Sequence, residues 1–280
     1  MSLDANAAPD LTVIIIGHQV KAELVACLAS LKGHAGDLRL QVVYVDNGST
    51  DGSAEAAAEA YPGAEVVRLS RNEGLPARNH GLRRARGRNR MFIDTDATVT
   101  EGALQTMCSI LDGDSGIGLV GPRLVYPDGR LQLSARRYPP VMLPVLRRPP
   151  LERFFGDART VRRHLMADEA PLPRRRVEYV LGACQMFSAR AQDAAGEIDD
   201  RMWFGPDDAD WCFKVRRAGL TVLYAPEATV VHDYRRSSAS SPVSRMALRH
   251  LRGFAHFQWK WRGQRSRLVA EGRAMDLEAA

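Results

Sequence analysis

Hydrophobic positions along this chain follow two rhythms: short unbroken runs, and apolar residues three or four apart. Leu11 to Ile16 is a continuous run; Leu24, Cys27, Leu28 and Leu31 follow at helical spacing, and a second run extends from Leu40 to Val45. That order predicts strand, helix, strand. The alternation continues with an alanine-rich helix over Ser53 to Ala60, a strand over Glu65 to Leu69, a helix over Leu75 to Ala85 and a strand over Arg90 to Ile93. Strands separated by helices predict an α/β fold, a mostly parallel central sheet flanked by helices, because each parallel crossover must lay its helix on a sheet face. Ligands of such sheets gather at the carboxyl ends of the strands.

The second half is less regular. A buried run spans Ile117 to Gly121, and Pro127-Asp128-Gly129 has the residues of a tight turn between two short extended pieces. Residues 139–178, rich in Pro and Arg with weak periodicity, predict a long, partly mobile excursion over the site. Tyr179 to Phe187 resumes strand character, Asp207 to Ala218 reads as a helix with an acidic first turn, and Thr221 to Tyr224 and Thr229 to Val231 read as short strands. After a serine-rich break, a last helix carries Ala247, Leu251, Phe254, Phe257 and Trp261 on one face and Arg245, Arg249, Arg252 and Lys260 on the other.

Composition bounds the class. At 280 residues, 45% hydrophobic and 26% charged, the chain suffices for one large domain or two small ones. Cys27, Cys108, Cys184 and Cys212 lack paired spacing and sit among apolar neighbours, which predicts reduced core residues and not a zinc site or disulfide frame. No stretch approaches the roughly 20 apolar residues of a membrane span, and Met1 to Asp10 has no signal-peptide pattern, so a cytoplasmic location is expected. The net charge of +6 is uneven: residues 136–176 hold 11 Arg/Lys against 4 Asp/Glu and residues 235–280 hold 10 against 3, leaving −8 elsewhere. Such basic runs are either solvated surface or attractors of phosphates.

The candidate chemistry is acidic and stands at element ends. Asp46-Asn47-Gly48 follows the second strand and Asp94-Thr95-Asp96 the fourth; Asp207-Asp208-Ala209-Asp210 opens a helix, and His232 follows a short strand. Paired hard oxygens are what Mg²⁺ or Mn²⁺ requires, with substrate phosphates completing the shell. Each element alone has a bland explanation: the aspartates complement a helix dipole, and His232 is a satisfied, partly buried histidine. Together, at strand and helix ends of one α/β domain, they are less easily accidental and predict a cation site.

Val13-Ile14-Ile15-Ile16, Val42 to Ser53, Asn72-Glu73-Gly74 with Ala77-Arg78-Asn79, Gly121-Pro122-Arg123-Leu124 with Asp128-Gly129, Gly182-Ala183-Cys184, and Asp207 to Cys212 ending at His232 resemble family two glycosyltransferases, particularly the rhamnosyltransferase-like branch. The resemblance spans roughly residues 11 to 240 and implies a GT-A type nucleotide-binding fold. It divides the chain into a flexible start over residues 1–10, a catalytic domain over 11–236 and a basic amphipathic helix over 237–280. Within the domain, about 11–112 would be the nucleotide-binding part and 113–236 the acceptor-side part.

The resemblance also implies roles. Asp46, Asn47, Gly48, Asn72, Arg78, Asn79, Asp94 and Thr95 would bind the nucleotide-sugar, Asp96 and His232 the cation, and Asp208 would be the catalytic base. Asp207, Asp210, Gly182 and Trp203 would serve the acceptor side or support the base, with Asp207 standing where the family more usually carries Glu. The implied reaction is inverting transfer from a nucleotide-diphosphate donor, dTDP-rhamnose as first guess and a UDP-sugar second. Its acceptor would be a hydroxyl of a cell-surface polysaccharide or lipid-linked glycan. For the terminal helix two readings stay open: packing back on the domain, or peripheral contact of residues 245–262 with the inner face of the membrane. Nucleic acid is not expected as a partner. A nucleotidyltransferase would need a glycine-rich basic loop after the first strand, where Ile16-Gly17-His18-Gln19 stands, and a non-catalytic polyanion-binding protein would leave Asp96, Asp208 and His232 without a task.

Overall fold

The computed structural model describes residues 8–146, 151–234 and 245–278. The flexible start expected for residues 1–10 therefore falls largely outside the described residues, as does most of the serine-rich break after Ser237. The strands are β1 Leu11–Gly17, β2 Leu40–Asp46, β3 Glu65–Arg68, β4 Asn89–Asp94, β5 Ala97–Val99, β6 Ile117–Val125, β7 Leu131–Gln132, β8 Ala135–Arg136, β9 Arg175–Arg176, β10 Tyr179–Val180, β11 Cys184–Ser188 and β12 Thr221–His232. The helices are α1 Lys21–His34, α2 Ser53–Ala60, α3 Arg78–Leu82, α4 Ala103–Gly113, α5 Leu143–Leu146, α6 Glu152–Phe155, α7 Arg159–His164, α8 Ala189–Ala195, α9 Asp207–Arg217, α10 Arg245–Trp261 and α11 Arg265–Glu278.

A ten-stranded sheet runs in the order β3-β2-β1-β4-β11-β6-β12-β5, with β7 added to β6 and β9 to β12. The α/β architecture flanked by helices is the one the alternating pattern predicts. From β3 to β4 the pairing is parallel throughout. It then turns mixed, because β11 lies antiparallel between β4 and β6, and β5 runs antiparallel to β12. Period-two alternation explains how the sheet is sandwiched. Leu11, Val13 and Ile15 of β1 face one core with Leu24, Leu28 and Leu31 of α1. Ile14 faces the other, with Phe92, Phe187 and Trp211. All four cysteines are free and buried.

Several element boundaries differ from the pattern's. The helix expected over Leu75 to Ala85 begins as a 3₁₀ turn at Leu75–Ala77 and ends at Leu82. The extended piece expected from Tyr179 to Phe187 breaks around Gly182 into β10 and β11, which join different sheets. The two short strands expected at Thr221 and Thr229 are one strand, β12, with an irregularity between Ala225 and Thr229. The Pro- and Arg-rich excursion contains the short helices α5, α6 and α7 and the strand β9.

The terminal helix is two helices, α10 and α11. α10 buries Ala247, Phe254, Phe257 and Trp261. Phe257 and Trp261 meet the Phe213 ring of α9 at 5.8 and 5.6 Å. Asp210 of α9 accepts from Trp261 Nε1 at 2.8 Å and from Lys260 Nζ at 2.9 Å. Packing on the domain thus accounts for one face of α10, and it takes Lys260 off the expected basic face. Leu251, expected on the buried face, is exposed, as are Leu248 and Trp259. Among the described residues, no helix is long and apolar enough to cross a membrane.

Candidate active site

Strand register brings the acidic motifs together. β1 pairs with β2 and β4 so that Gly17 lies opposite Asp46 and Ile16 opposite Asp94, which sets both aspartates at the carboxyl edge. Beyond Asp94 the chain turns through Thr95 and Asp96 into β5. Antiparallel pairing of β5 with β12 sets His232 opposite Ala97, and the Asp233 amide donates to the Asp96 carbonyl at 2.9 Å. An imidazole 136 residues beyond Asp96 therefore arrives beside it, with His232 Nε2 3.4 Å from Asp96 Oδ1. One ligand atom from each of Asp94, Asp96 and His232 can be chosen so that all three lie within 4.8 Å of one another. Two carboxylate oxygens and one imidazole nitrogen are a donor set that suits Mg²⁺ or Mn²⁺.

Arg78, the first residue of α3, links this cluster to α9. Its guanidinium donates to Asp207 Oδ2 at 2.7 Å, to Asp94 Oδ1 at 2.8 Å and to the Gly182 carbonyl at 3.4 Å, while lying over the Phe92 ring. Asp208, next along α9, accepts from the Gly182 amide at 3.3 Å and from the Ala209 amide at 2.7 Å. Gly182 is confined: a Cβ there would stand 3.2 Å from the Asp208 Cβ. Burial pushes both Asp207 and Asp208 above the usual carboxylate range, opposed at Asp207 by Arg78 and at Asp208 by the two amides that donate to it. For His232, burial lowers the affinity for a proton, but Asp96 and Asp94 outweigh it and the net shift is upward.

The loop after β2 is braced by its own amides. Asn47 Oδ1 accepts from the Glu73 amide at 2.8 Å, and its Nδ2 donates to Asn72 Oδ1 and the Gly74 carbonyl. Asp46 is buried and accepts from the Ser49 amide at 3.1 Å. Gly48 has φ +78° and passes so close to the backbone of Arg71 that a Cβ would lie 2.8 Å from its carbonyl carbon, so only glycine fits without displacement. Thr95 is buried between Asp94 and Asp96.

Two of the expected site residues have their hydrogen-bond partners on neighbouring elements. Asn79, expected against the nucleotide, has both amide ends on Ile198, accepting from its N–H at 2.8 Å and donating to its carbonyl at 2.9 Å. It clamps α3 to the loop after α8, since a buried amide engaged at both ends has little left for a ligand. Asp210 points at α10 and anchors that helix, leaving Asp207 and Asp208 as the α9 carboxylates tied to Arg78 and Gly182. Trp203 packs against the turn at Gly74 and Leu75: its carbonyl accepts from the Leu75 amide at 2.9 Å, and the Arg249 guanidinium lies 3.6 Å from its ring centroid.

Two residues not anticipated also reach the site. Gln132 Oε1 is 2.6 Å from His232 Nδ1, and the buried Arg136 lies near enough to Asp208 to favour its ionised form. The signal was present: Gln132, Ser134 and Arg136 are polar at alternate positions, and all three are buried.

The glycosyl transferase family 2 model matches residues 12–168. An N-acetylglucosaminyl-diphospho-decaprenol L-rhamnosyltransferase of Mycobacterium tuberculosis is 27% identical over 86% of this chain and 81% of its own length. A pre-mycofactocin glycosyltransferase of the same organism is 29% identical over 81% of this chain and 43% of its own. Among solved structures, GalNAc-T7 with UDP, GalNAc and Mn²⁺ superposes with a TM-score of 0.66 at 17% identity, over 91% of this chain and 48% of that one. The mannosyltransferase PcManGT from Pyrobaculum calidifontis, with GDP-Man and Mn²⁺, gives 0.58 at 20% identity, over 85% and 61%. These likenesses establish the GT-A fold.

Proposed function

This chain belongs to glycosyl transferase family 2, and on that premise we propose that it is an inverting, cation-dependent enzyme that moves a sugar from a nucleoside diphosphate to an acceptor hydroxyl. The observation that carries this reading is the convergence of Asp94, Asp96 and His232 beside a base-bearing helix start, joined through Arg78. Asp208 takes the proton of the acceptor hydroxyl as its oxygen bonds to the anomeric carbon. The bond from that carbon to the diphosphate breaks on the opposite face, and its electron pair leaves with the nucleoside diphosphate. No second carboxylate is assigned as a nucleophile, hence inversion.

Asp96 and His232, with Asp94 beside them, would hold the cation, whose charge neutralises the departing diphosphate. Imidazole in the donor set favours Mn²⁺ over Mg²⁺, which prefers oxygen alone. The loop braced by Asn47 and Asn72 shapes the nucleotide end around Asp46 and Gly48. Arg78 holds Asp94 and Asp207 in place and favours their ionised forms against the burial that disfavours them.

Similarity to the decaprenol-linked rhamnosyltransferase over most of both chains supports dTDP-rhamnose as donor and a lipid-linked glycan as acceptor, with a UDP-sugar the second choice. The outer face of α10 would meet an anionic membrane there, because Leu248, Leu251 and Trp259 are exposed beside the exposed Arg245, Arg252 and Arg262.

The deciding experiment offers a panel of nucleotide-sugars to the wild type and to Asp208→Asn. Transfer should fall by roughly 10²- to 10⁴-fold in the variant while donor binding with Mn²⁺ persists, the loss typical of a removed general base. Undiminished turnover in Asp208→Asn refutes the assignment of the base.

A further inference from the structure

We propose that Gln132 is a positioning residue for the cation site: it holds the His232 ring with its proton on Nδ1, so that the Nε2 lone pair faces the cation. The inference rests on the cation-dependent reading above. A neutral imidazole binds a metal through one unprotonated nitrogen, and the hydrogen bond made by the other nitrogen decides which one that is. Here Nε2 is the nitrogen facing Asp96, at 3.4 Å, and Nδ1 faces Gln132 Oε1 at 2.6 Å. A carbonyl oxygen only accepts, so this contact requires hydrogen on Nδ1.

The setting of Gln132 points to the same task. It ends β7, which folds back on β6 through the turn around Asp128-Gly129, and it pairs by backbone with Leu124. The strand pairing therefore needs nothing from the side chain. Yet that side chain is amide and not aliphatic, on a residue 5% exposed, against a histidine 4% exposed. Its Nε2 is buried with no hydrogen-bond partner among the described residues. A methionine would fill similar space without stranding a donor, so burying an amide here is explained by the one bond its side chain forms among the described residues, to His232. Turned end for end, the amide would donate to Nδ1 and move the ring hydrogen to Nε2, which closes the ring to a cation. An acceptor at position 132 is thus the feature that matters.

The test is Mn²⁺ affinity in the presence of UDP or dTDP, followed by the electron paramagnetic resonance of free Mn²⁺, in wild type, Asp96→Ala, Gln132→Met, Gln132→Glu and Gln132→Lys. Gln132→Met should bind Mn²⁺ about 10- to 100-fold more weakly, the usual effect of removing the partner of a metal-bound histidine, whereas Gln132→Glu should stay close to wild type. Nucleotide binding without Mn²⁺ should be unchanged, and transfer by Gln132→Met should recover at saturating Mn²⁺, which damage to the fold would not allow. Wild-type Mn²⁺ affinity in Gln132→Met, or equal weakening in Gln132→Glu, overturns the inference. If Gln132→Met does not fold, Gln132→Lys, which can only donate, takes its place, and affinity equal to that of Gln132→Glu refutes the proposal. Failure of the cation reading itself looks different: wild type then shows no Mn²⁺ binding, or Asp96→Ala leaves it intact, and the role of Gln132 falls with it.

Discussion

Replacing Arg78 with methionine removes the guanidinium that bridges the β4 and α9 carboxylates while keeping an aliphatic stem over Phe92. The Arg78 side chain is 4% exposed and that of Asp207 is 7%, so this half of the bridge cannot be repaired by water; Asp94, at 38%, is partly solvated and contributes less. Breaking a buried pair by removing one partner typically costs about 3–5 kcal/mol, because an uncompensated charge is left behind. At about 2–4 °C per kcal/mol for chains approaching this size, the melting temperature should fall by about 10 °C at alkaline pH, where Asp207 is ionised in both proteins.

The pH dependence follows from the same charge. Burial already holds Asp207 above the usual carboxylate range, and Arg78 is the largest influence pulling it back. Without Arg78 the folded-state pKa rises further, while the unfolded value stays at about 3.9. Between the two values the folded variant binds a proton that the unfolded chain does not, so its stability falls as pH rises through that window. The deficit relative to wild type should therefore be smallest in mild acid and full above the raised pKa. Chemical denaturation of both proteins at several pH values measures it, and Arg78→Met with Asp207→Asn should recover much of the loss. A deficit under about 1 kcal/mol, or one that does not shrink on acidification, would refute the description of this bridge as a buried, charge-compensating contact.

Two further outcomes follow from the structure. Since burial raises the pKa of Asp208, the acid limb of transfer rate against pH should lie above the ordinary carboxylate range, activity rising with pH as the base ionises; a limb at or below about pH 4 contradicts the assignment. Phe257→Ala empties a fully buried position among Tyr138, Phe213 and Phe254, so stability should drop by about 3–5 kcal/mol and limited proteolysis should cut α10 first; unchanged protection of α10 argues against its docking through this cluster.

The Gln132 contact and the Arg78 bridge illustrate how polar roles are distributed here. Asn79 and Arg78 are neighbours at the start of α3, both buried and polar. One is tied off on the backbone of Ile198, while the other reaches two carboxylates, one of them 129 residues away. Asp207, Asp208 and Asp210 share one helix turn, yet the last is turned to Trp261 and Lys260. Nothing in their local sequence distinguishes these fates, because a side chain's partner is set by which elements pack against it.

The sequence alone determined the alternation of strands and helices, the two-faced burial of β1, and the placing of Asp46, Asp94, Asp208 and His232 at element ends. Periodicity reports which faces are buried, and composition reports where strands stop, so these are local properties. The helix α4 is equally visible in the spacing of Leu104, Met107, Cys108 and Leu111, whereas β5, at Ala97–Val99, is too short to make a pattern. Only the tertiary structure decided that β11 would lie antiparallel between β4 and β6, that β5 would pair with β12, and hence that His232 would reach Asp96. It alone brought Gln132 to His232 and α10 to Asp210. Register between strands distant in the chain is a choice among pairings of similar local energy, and it is settled by how all the elements pack at once.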